Sequence, residues 1–187
     1  QIFMDGKEVH FPNVKAAIKN KIAYVTEDRK GNGLILSESI SKNTTAANLE
    51  RISKNYVIDF DKERQYSQEM VKEVHTKCSS VDEDVGNLSG GNMQKVLLGK
   101  WLFAQPDILI LDEPTRGIDV GAKYEIYCII NEMVSNGKSV IMISSEMPEL
   151  LGMCDRIYVV HEGRLVGELQ KNEFSQENVM RCIMSNQ

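Results

Sequence analysis

The chain has 187 residues, of which 42% are hydrophobic and 26% are charged, with a formal net charge of −5. This length and balance predict a globular domain with a real core. The acidic balance does not favour a non-specific nucleic-acid surface. No run reaches the roughly 20 apolar residues of a membrane span, and no secretory signal is recognised.

The N-terminal part consists of short predicted elements separated by turn residues. Asp5 and Gly6 predict the turn of a hairpin that Pro12 ends. The charged run over 27–33 contains two glycines, which predicts an exposed, mobile loop. The predicted elements are a hairpin over 1–11, a short helix over 13–20 and a strand over 22–25.

The middle of the chain has a helical pattern over 41–77. Tyr66, Met70 and Val74 recur every four residues with charges between them, which predicts an amphipathic helix packed on a neighbour. Residues 78–86 form a polar linker with an acidic cluster.

The second half alternates helices and strands, which favours an α/β sheet. Ser89 begins a helix that Pro106 ends, and the apolar run over 108–111 predicts a strand buried on both faces of a parallel sheet. The other predicted elements are a helix over 123–136 closed by Gly137, buried strands over 140–143 and 156–160, a strand over 165–169 after a turn at Glu162 and Gly163, and a helix capped by Ser175.

Two carboxylates, Asp112 and Glu113, follow the predicted buried strand. In open α/β sheets, ligands bind at the carboxyl ends of the strands. One acidic residue there can hold the magnesium of a nucleotide, and a second can polarise the attacking water. Because strand ends that meet solvent are also acidic, this motif alone is weak.

Ser89, Gly90 and Gly91 open a helix one element earlier. Glycines allow close approach of the backbone to a phosphate, and the free N–H groups and helix dipole favour an anion. An ordinary serine cap with two glycines would look the same. The two motifs together, separated by one helix, point to a nucleotide-binding protein.

With these motifs the chain resembles the ATP-binding cassette (ABC) ATPases. Residues 87–95, Asn-Leu-Ser-Gly-Gly-Asn-Met-Gln-Lys, are similar to the family signature, and residues 108–113 to its Walker B strand. Asp119 matches the D-loop aspartate. Three further stretches resemble the second of two fused cassettes in simple-sugar importers of the galactose, methyl-galactoside or ribose type: 27–30, 112–123 and 143–150.

The resemblance implies an α/β fold: a P-loop NTPase-like cassette fragment with a mostly parallel core sheet, a helical subdomain and a small antiparallel β piece. It implies one partial ATP-binding domain over 1–187. Its expected parts are a β piece and Q-loop region over 1–33, a helical subdomain over 34–86, and the signature helix, Walker B, D-loop, switch-loop core and C-terminal helix over 87–187.

The resemblance also implies ATP and Mg²⁺ as cofactors and assigns roles to particular residues. Glu113 is the implied base, and Glu27 and Ser145 are the implied sensors of the γ-phosphate. Asp112, with Glu27, is implied to hold the metal. The implied nucleotide-binding residues are Ser89, Gly90, Gly91, Asn92 and Asp119, of which the signature residues serve ATP held by the partner cassette.

Two positions depart from the family pattern, because Glu27 replaces a glutamine and Ser145 replaces a histidine. A carboxylate is a poor neighbour for phosphate unless magnesium lies between them, and serine is no titratable contact. We therefore expect slow hydrolysis at this cassette's own site. The retained Glu113 argues against an inactive one.

The Walker A pattern, Gly-x-x-x-x-Gly-Lys-Ser/Thr, does not occur in the 187 residues. Gly137, Lys138 and Ser139 are a partial match, but Glu132 stands where the first glycine belongs. They also follow a helix and precede a strand, the reverse of the required order, so we interpret them as a helix cap. We expect the later part of a cassette, which alone binds ATP poorly.

The implied partners are the other cassette, transmembrane permease subunits contacted through residues 34–55, and indirectly a periplasmic or extracellular sugar-binding protein; no nucleic acid is expected. The implied location is peripheral, at the cytoplasmic face of the plasma or inner membrane. Three functions stay open: ATP hydrolysis that drives sugar import, a catalytically weak cassette that donates its signature to its partner, and a soluble ATPase acting on DNA or ribosomes. The acidic balance and the lack of a long coiled-coil insertion stand against the third.

Overall fold

The computed structural model describes residues 1–4 and 6–185, and the chain divides into two compact units after Ile141. The partition into one domain with three parts stays a prediction. In the first unit the strands are β1 Ile2–Met4, β2 Lys7–Val9, β3 Ile22–Val25, β4 Ser53–Lys54, β5 Val57–Ile58 and β6 Ile108–Asp112, followed by β7 Ser139–Ile143, which runs past the division. The helices of this unit are α1 Val14–Lys19, α2 Ile40–Thr45, α3 Phe60–Glu73, α4 Gly90–Phe103 and α5 Val120–Ser135.

The core sheet has the strand order β3, β6, β7. β3 and β6 pair in parallel, from Ile22 opposite Ile108 to Val25 opposite Leu111. The predicted strands over 22–25 and 108–111 are confirmed, and with them the α/β fold class.

Burial in this sheet alternates along each strand. Leu109 and Leu111 are fully buried, together with Ala23 and Val25, which lie opposite them in β3. The intervening residues of β6 are only half-buried, and Ile141 of β7 is 53% exposed. The expectation of strands buried on both faces is therefore wrong: successive side chains point to opposite faces, and only one face carries the core of this unit.

The region predicted as continuously helical is interrupted in its middle. A 3-10 turn at Leu49–Ile52 and the hairpin of β4 and β5 separate α2 from α3. Asn55 and Tyr56 in the hairpin turn have φ of 52° and 65°. Two consecutive positive φ values are typical of the tight turns that join antiparallel strands, so this pair forms the turn of the hairpin that interrupts the helical pattern.

The helix that Ser89 begins stops at Phe103, before Pro106, because Gln105 already has a left-handed φ of 55°. α5 begins three residues earlier than predicted. Its cap is Asp119, whose Oδ1 accepts a hydrogen bond from the Ala122 N–H at 3.0 Å.

The end of α5 confirms the interpretation of the partial Walker A match. Gly137 has φ 78°, the left-handed conformation that closes helices. The Lys138 ammonium lies 2.6 Å from an Asp107 carboxylate oxygen, and Ser139 begins β7. These residues form a helix cap and not a phosphate loop.

At the N-terminus, β1 and β2 form the predicted antiparallel hairpin, with Ile2 opposite Val9. Gly6 of the predicted turn has φ 74°, while Asp5 lies outside the described residues. The short helix α1 is capped by Asn13, as the pattern over 13–20 predicts.

The second unit contains α6 Met147–Met153, β8 Arg156–His161, β9 Arg164–Gln170 and α7 Gln176–Met184. β8 and β9 pair antiparallel, and Ile157, Val159, Leu169 and Val179 form the core. The strands and the Ser175 cap are confirmed, but β8 is buried only on alternate residues. Sequence patterns missed α6, although Pro148 in its first turn favours a helix start.

Across the described parts of both units, no helix is long and apolar enough to span a membrane.

Candidate functional site

Asp112 ends β6 and is held there by a tyrosine of the neighbouring strand. Tyr24 lies opposite Ile110 in the parallel register, so its side chain shares a face with Asp112, two residues further along. The Tyr24 hydroxyl donates to Asp112 Oδ2 at 2.6 Å. This hydrogen bond, followed by desolvation, raises the pKa of Tyr24 above its usual range. The bond fixes the direction of the predicted metal ligand.

Glu113 turns the chain away from the sheet directly after the strand. Its φ is 46°, a left-handed value that is uncommon for a residue with a side chain. Its carbonyl accepts a hydrogen bond from the Arg116 N–H at 3.2 Å. Backbone strain of this kind costs roughly 1–3 kcal/mol and is concentrated at functional sites. The predicted catalytic base therefore occupies a strained turn.

Glu27 follows β3 by two residues, and its carboxylate pairs with the Arg116 guanidinium. Both side chains are exposed, at 46% and 66%. The carboxylate predicted to face magnesium or the γ-phosphate is thus engaged by a cation of the same unit.

Arg29 begins a single π-helical turn, Arg29–Gly33, in which Asp28 accepts a hydrogen bond from the Gly31 N–H at 2.9 Å. Its guanidinium donates from Nη1 to the Arg116 carbonyl at 2.9 Å and from Nη2 to the Gly117 carbonyl at 3.5 Å. The segment is largely exposed, as predicted, but it has regular structure, and Arg29 is half-buried.

Residues 89–92, here called the signature start, form the first turn of α4 and its cap. Ser89 Oγ accepts hydrogen bonds from the Asn92 N–H at 3.4 Å and from Asn92 Nδ2 at 3.1 Å. Asn92 Oδ1 in turn accepts from the Lys77 N–H at 2.9 Å. Side-chain caps of this kind satisfy the orphan donors of a helix start.

The two glycines of the signature start permit close packing. A Cβ on Gly91 would lie 2.7 Å from the Cβ of Ala122, a distance that real side chains do not tolerate. A Cβ on Gly90 would lie 3.3 Å from Arg29 Nη2. α4 therefore meets the start of α5 and the Arg29 guanidinium through positions that have no side chain.

The remaining predicted residues take separate positions. Asp119 is exposed and caps α5, so its carboxylate is occupied by that helix start. Ser145 belongs to the second unit, where it is exposed two residues after β7.

The first unit thus contains Glu27, Asp112 and the signature start, and it adds two side chains that sequence reasoning did not include, Tyr24 and Arg116. Arg29, which the sequence offers as a phosphate ligand or a solvated loop charge, instead bonds the Arg116 and Gly117 carbonyls. The signal for Tyr24 was present, because parallel pairing of two predicted strands places it diagonally across from Asp112. The contacts of Arg29 and Arg116 span about ninety residues and had no local signal.

Within residues 1–4 and 6–185, no group of three or more His, Cys, Asp or Glu side chains could hold a metal by itself. Magnesium at nucleotide sites uses one or two carboxylates plus substrate phosphates. Asp112 and Glu27 are the two carboxylates predicted for that mode, and in this structure they are bonded to the Tyr24 hydroxyl and to the Arg116 guanidinium.

Comparisons with known proteins agree on one family. Residues 1–116 match the family model described as ABC transporter. The chain is 56% identical over 183 residues to the L-arabinose transport ATP-binding protein AraG of Geobacillus stearothermophilus, which covers 98% of this chain and 36% of the relative. It is 51% identical over 180 residues to the ribose import ATP-binding protein RbsA of Bacillus cereus, covering 96% of the chain and 36% of the relative. The xylose import ATP-binding protein XylG of Geobacillus kaustophilus is 51% identical over 181 residues, with 97% and 36% covered.

Solved structures agree in fold. A nucleotide-free ATP-binding cassette from an ABC transporter superposes with a TM-score of 0.77 at 19% identity, covering 96% of this chain and 75% of that one. A dimeric cassette in a post-hydrolysis state with ADP and phosphate gives 0.75 at 18% identity, covering 90% and 72%. The chain spans about a third of the length of its curated relatives. Since the family model covers more than half of the residues, the chain belongs to the ABC transporter family.

Proposed function

We propose that this chain is part of an ATP-hydrolysing subunit that drives the import of a simple sugar. The observation that carries the proposal is structural: one compact unit holds both a capped, glycine-lined helix start and a strained strand end with two carboxylates. The sugar class is supported by relatives named for L-arabinose, ribose and xylose. The galactose type stays a prediction.

In this proposal the carboxylates act on the cassette's own nucleotide. Asp112, directed by the Tyr24 hydroxyl, and Glu27, once released from Arg116, would hold a divalent ion. Bound Mg²⁺ would neutralise charge on the phosphate oxygens. Glu113 accepts a proton from the attacking water, and Ser145 is proposed to contact the γ-phosphate.

The signature start has a different role in the proposal. Its backbone N–H groups and the positive end of the α4 dipole favour a phosphate. By resemblance, that phosphate belongs to ATP held by a second cassette, with Ser89, Gly90, Gly91 and Asn92 facing it and Asp119 placed nearby at the start of α5.

The proposed partners are this second cassette, the transmembrane permease subunits and, indirectly, a sugar-binding protein. The proposed location is peripheral, at the cytoplasmic face of the membrane. These proposals concern the whole protein to which the chain corresponds.

The proposal is tested with Glu113→Gln in the full-length protein assembled with its permease, by measuring ATP turnover and sugar uptake. We expect turnover to fall roughly 10²- to 10⁴-fold, the range for loss of a general base. Glu162→Gln is the matched control, because Glu162 is also a glutamate with a left-handed φ, 47°, and it should leave turnover unchanged. Wild-type turnover and uptake in Glu113→Gln would rule the proposal out.

A second candidate function is a catalytically weak cassette that mainly donates its signature. The ion pair between Glu27 and Arg116 favours it, because the carboxylate is then not free for magnesium. In the same assembly, Ser89→Arg should abolish turnover while ATP still binds, and Glu113→Gln should have little effect. If Glu113→Gln alone removes turnover, this second function is excluded.

A further inference from the structure

Two segments of the first unit are joined by a reciprocal link. The Arg116 side chain pairs with the Glu27 carboxylate. In the opposite direction, the Arg29 side chain donates to the carbonyls of Arg116 and Gly117 at 2.9 and 3.5 Å. The turn after β3 and the loop after β6 therefore each contribute a guanidinium to the other.

The Arg29 guanidinium also reaches the signature start. Arg29 Nη2 lies 3.3 Å from where a Gly90 Cβ would stand, and the Gly117 carbonyl oxygen lies 3.8 Å from the same point. Gly117 has φ 67°, a left-handed conformation that favours glycine. The Arg29 head thus fills the space between the first turn of α4 and the loop that follows the carboxylates.

The position of Arg29 is costly for folding alone. Its Nε atom is buried and has no hydrogen-bond partner among the described residues. An unsatisfied buried donor costs roughly 1–3 kcal/mol, and a cation beside a helix N-terminus is electrostatically unfavourable. A buried polar atom of this kind calls for an explanation other than folding stability.

We propose that Arg29 is a positioning residue that sets the signature start against residues 116–117, so that both reach the geometry needed for ATP turnover. This inference rests on the proposed function. Arginine is required because its planar fork donates to two carbonyls at once, whereas a lysine ammonium is a single point donor. The expected effect of its loss is on turnover and not on nucleotide affinity.

The test compares Arg29→Lys, Arg29→Ala and the control Lys30→Ala in the full-length assembly. Lys30 is an exposed cation in the same turn. We measure kcat for ATP, the Kd for ATP and the folded fraction at the assay temperature. Arg29→Lys should lower kcat at least about tenfold, since misplacement by about 1 Å can cost up to about a hundredfold. Its Kd should stay within about twofold of wild type, and Lys30→Ala should match wild type.

Three results separate the possible failures. If Arg29→Lys keeps wild-type kcat while Glu113→Gln abolishes turnover, the positioning role is overturned and the proposed function stands. If kcat falls only in proportion to the folded fraction, Arg29 is merely structural and the inference is also overturned. If the wild-type assembly has no ATP turnover, the proposed function itself fails.

A double-mutant cycle tests the contact directly. Gly90→Ala places a methyl group against Arg29 Nη2, so its effect on kcat should be at least about threefold smaller in the Arg29→Ala background. Independent, multiplicative effects of the two substitutions would count against the inference.

Discussion

The signature start and the carboxylate edge, defined as Glu27, Asp112 and Glu113, belong to one unit but are held in different ways. The signature start is fixed by helix caps and by glycines packed against α5 and Arg29. In the carboxylate edge, Asp112 and Glu27 are held through pairs between partly exposed side chains, with Tyr24 and with Arg116.

This difference has physical consequences. Close packing is insensitive to salt and pH but does not tolerate added volume. Exposed ion pairs are weak and screened by salt, and they can exchange partners. The signature start is therefore preformed, whereas the carboxylate edge can change its contacts when a metal and a nucleotide arrive.

The largest expected effect comes from adding one methyl group to the packed region. Gly91→Ala should destabilise the protein by about 1–3 kcal/mol, the usual cost of overpacking, because its Cβ would meet Ala122 at 2.7 Å. Gly99→Ala, in the same helix, places its Cβ in ordinary contact 3.6 Å from Val74. It should be neutral or slightly stabilising, since alanine favours helices by up to about 1 kcal/mol. Urea unfolding measures the stability change in both variants. Equal changes would show that close packing does not hold the signature start.

An intermediate effect is expected at the ion pair that joins α4 to α5. The Lys95 ammonium is almost fully buried, pairs with Glu125 and donates to the His75 carbonyl at 2.9 Å. Glu125→Gln should cost about 1–2 kcal/mol, below the roughly 3–5 of a fully buried pair, because Glu125 is 40% exposed. Glu27→Gln, with an exposed partner, should cost less than about 1 kcal/mol. A larger loss of stability in Glu27→Gln than in Glu125→Gln would contradict this prediction.

The Lys95 pair also predicts a pH dependence. Its hydrogen bond and charge hold the pKa of Glu125 below its ordinary value. A carboxyl with a depressed folded-state pKa contributes stability above the unfolded-state value, and that stability is lost as pH falls through the folded-state pKa. Stability measured from pH 6 down to pH 3 should therefore fall less steeply in Glu125→Gln than in wild type. If wild type and Glu125→Gln lost stability equally between pH 6 and pH 3, the pair would not contribute to acid stability.

The smallest effect is expected at the Tyr24 hydroxyl. Tyr24→Phe should cost about 0.5–1 kcal/mol, below the roughly 1.5–3 kcal/mol of a hydrogen bond to a charged group, because Tyr24 is 45% exposed. Tyr158, a strand tyrosine that is 47% exposed, supplies the control Tyr158→Phe, which should change stability less.

Alkaline titration sharpens this last prediction. The pKa of Tyr24 is raised chiefly by its bond to Asp112. The stability from that bond is fully present below the unfolded-state pKa and is lost as pH rises through the folded-state pKa. In an absorbance titration of tyrosinate, Asp112→Asn should shift the ionisation of Tyr24 to lower pH. An unchanged titration would mean that Asp112 does not hold the hydroxyl.

Local patterns predicted many elements of both units correctly. Ser89, Asp112 and Ser175 mark element ends by their chemistry, and β3 and β6 stand out as apolar runs between turn signals. Such signals lie within a few residues, so no tertiary information is needed to read them. The same patterns failed for residues 49–58, where short turns and a two-residue-per-strand hairpin lie inside an apparently helical stretch.

For the candidate site, the residue types were readable but their contacts were not. The sequence indicated Glu27 and Asp112 as candidate carboxylates, yet it did not reveal Arg116 and Tyr24 as their partners. From the sequence, Arg29 is interpreted as a phosphate ligand or a solvated loop charge, with the second favoured. Its actual contacts lie 87 and 88 residues away, and no periodicity extends that far.

The sequence by itself determined the family, the α/β class and the two motifs. Each motif is defined by residue types within a few positions, such as glycines after a serine or two adjacent acids, so it can be recognised without the fold. Only the tertiary structure decided which side chains meet at the carboxylate edge and which glycine faces which neighbour. The parallel pairing of β3 with β6 brings residues 24–29 beside residues 110–117. Long-range contacts of this kind are set by how strands pair and helices pack, which is a property of the whole fold.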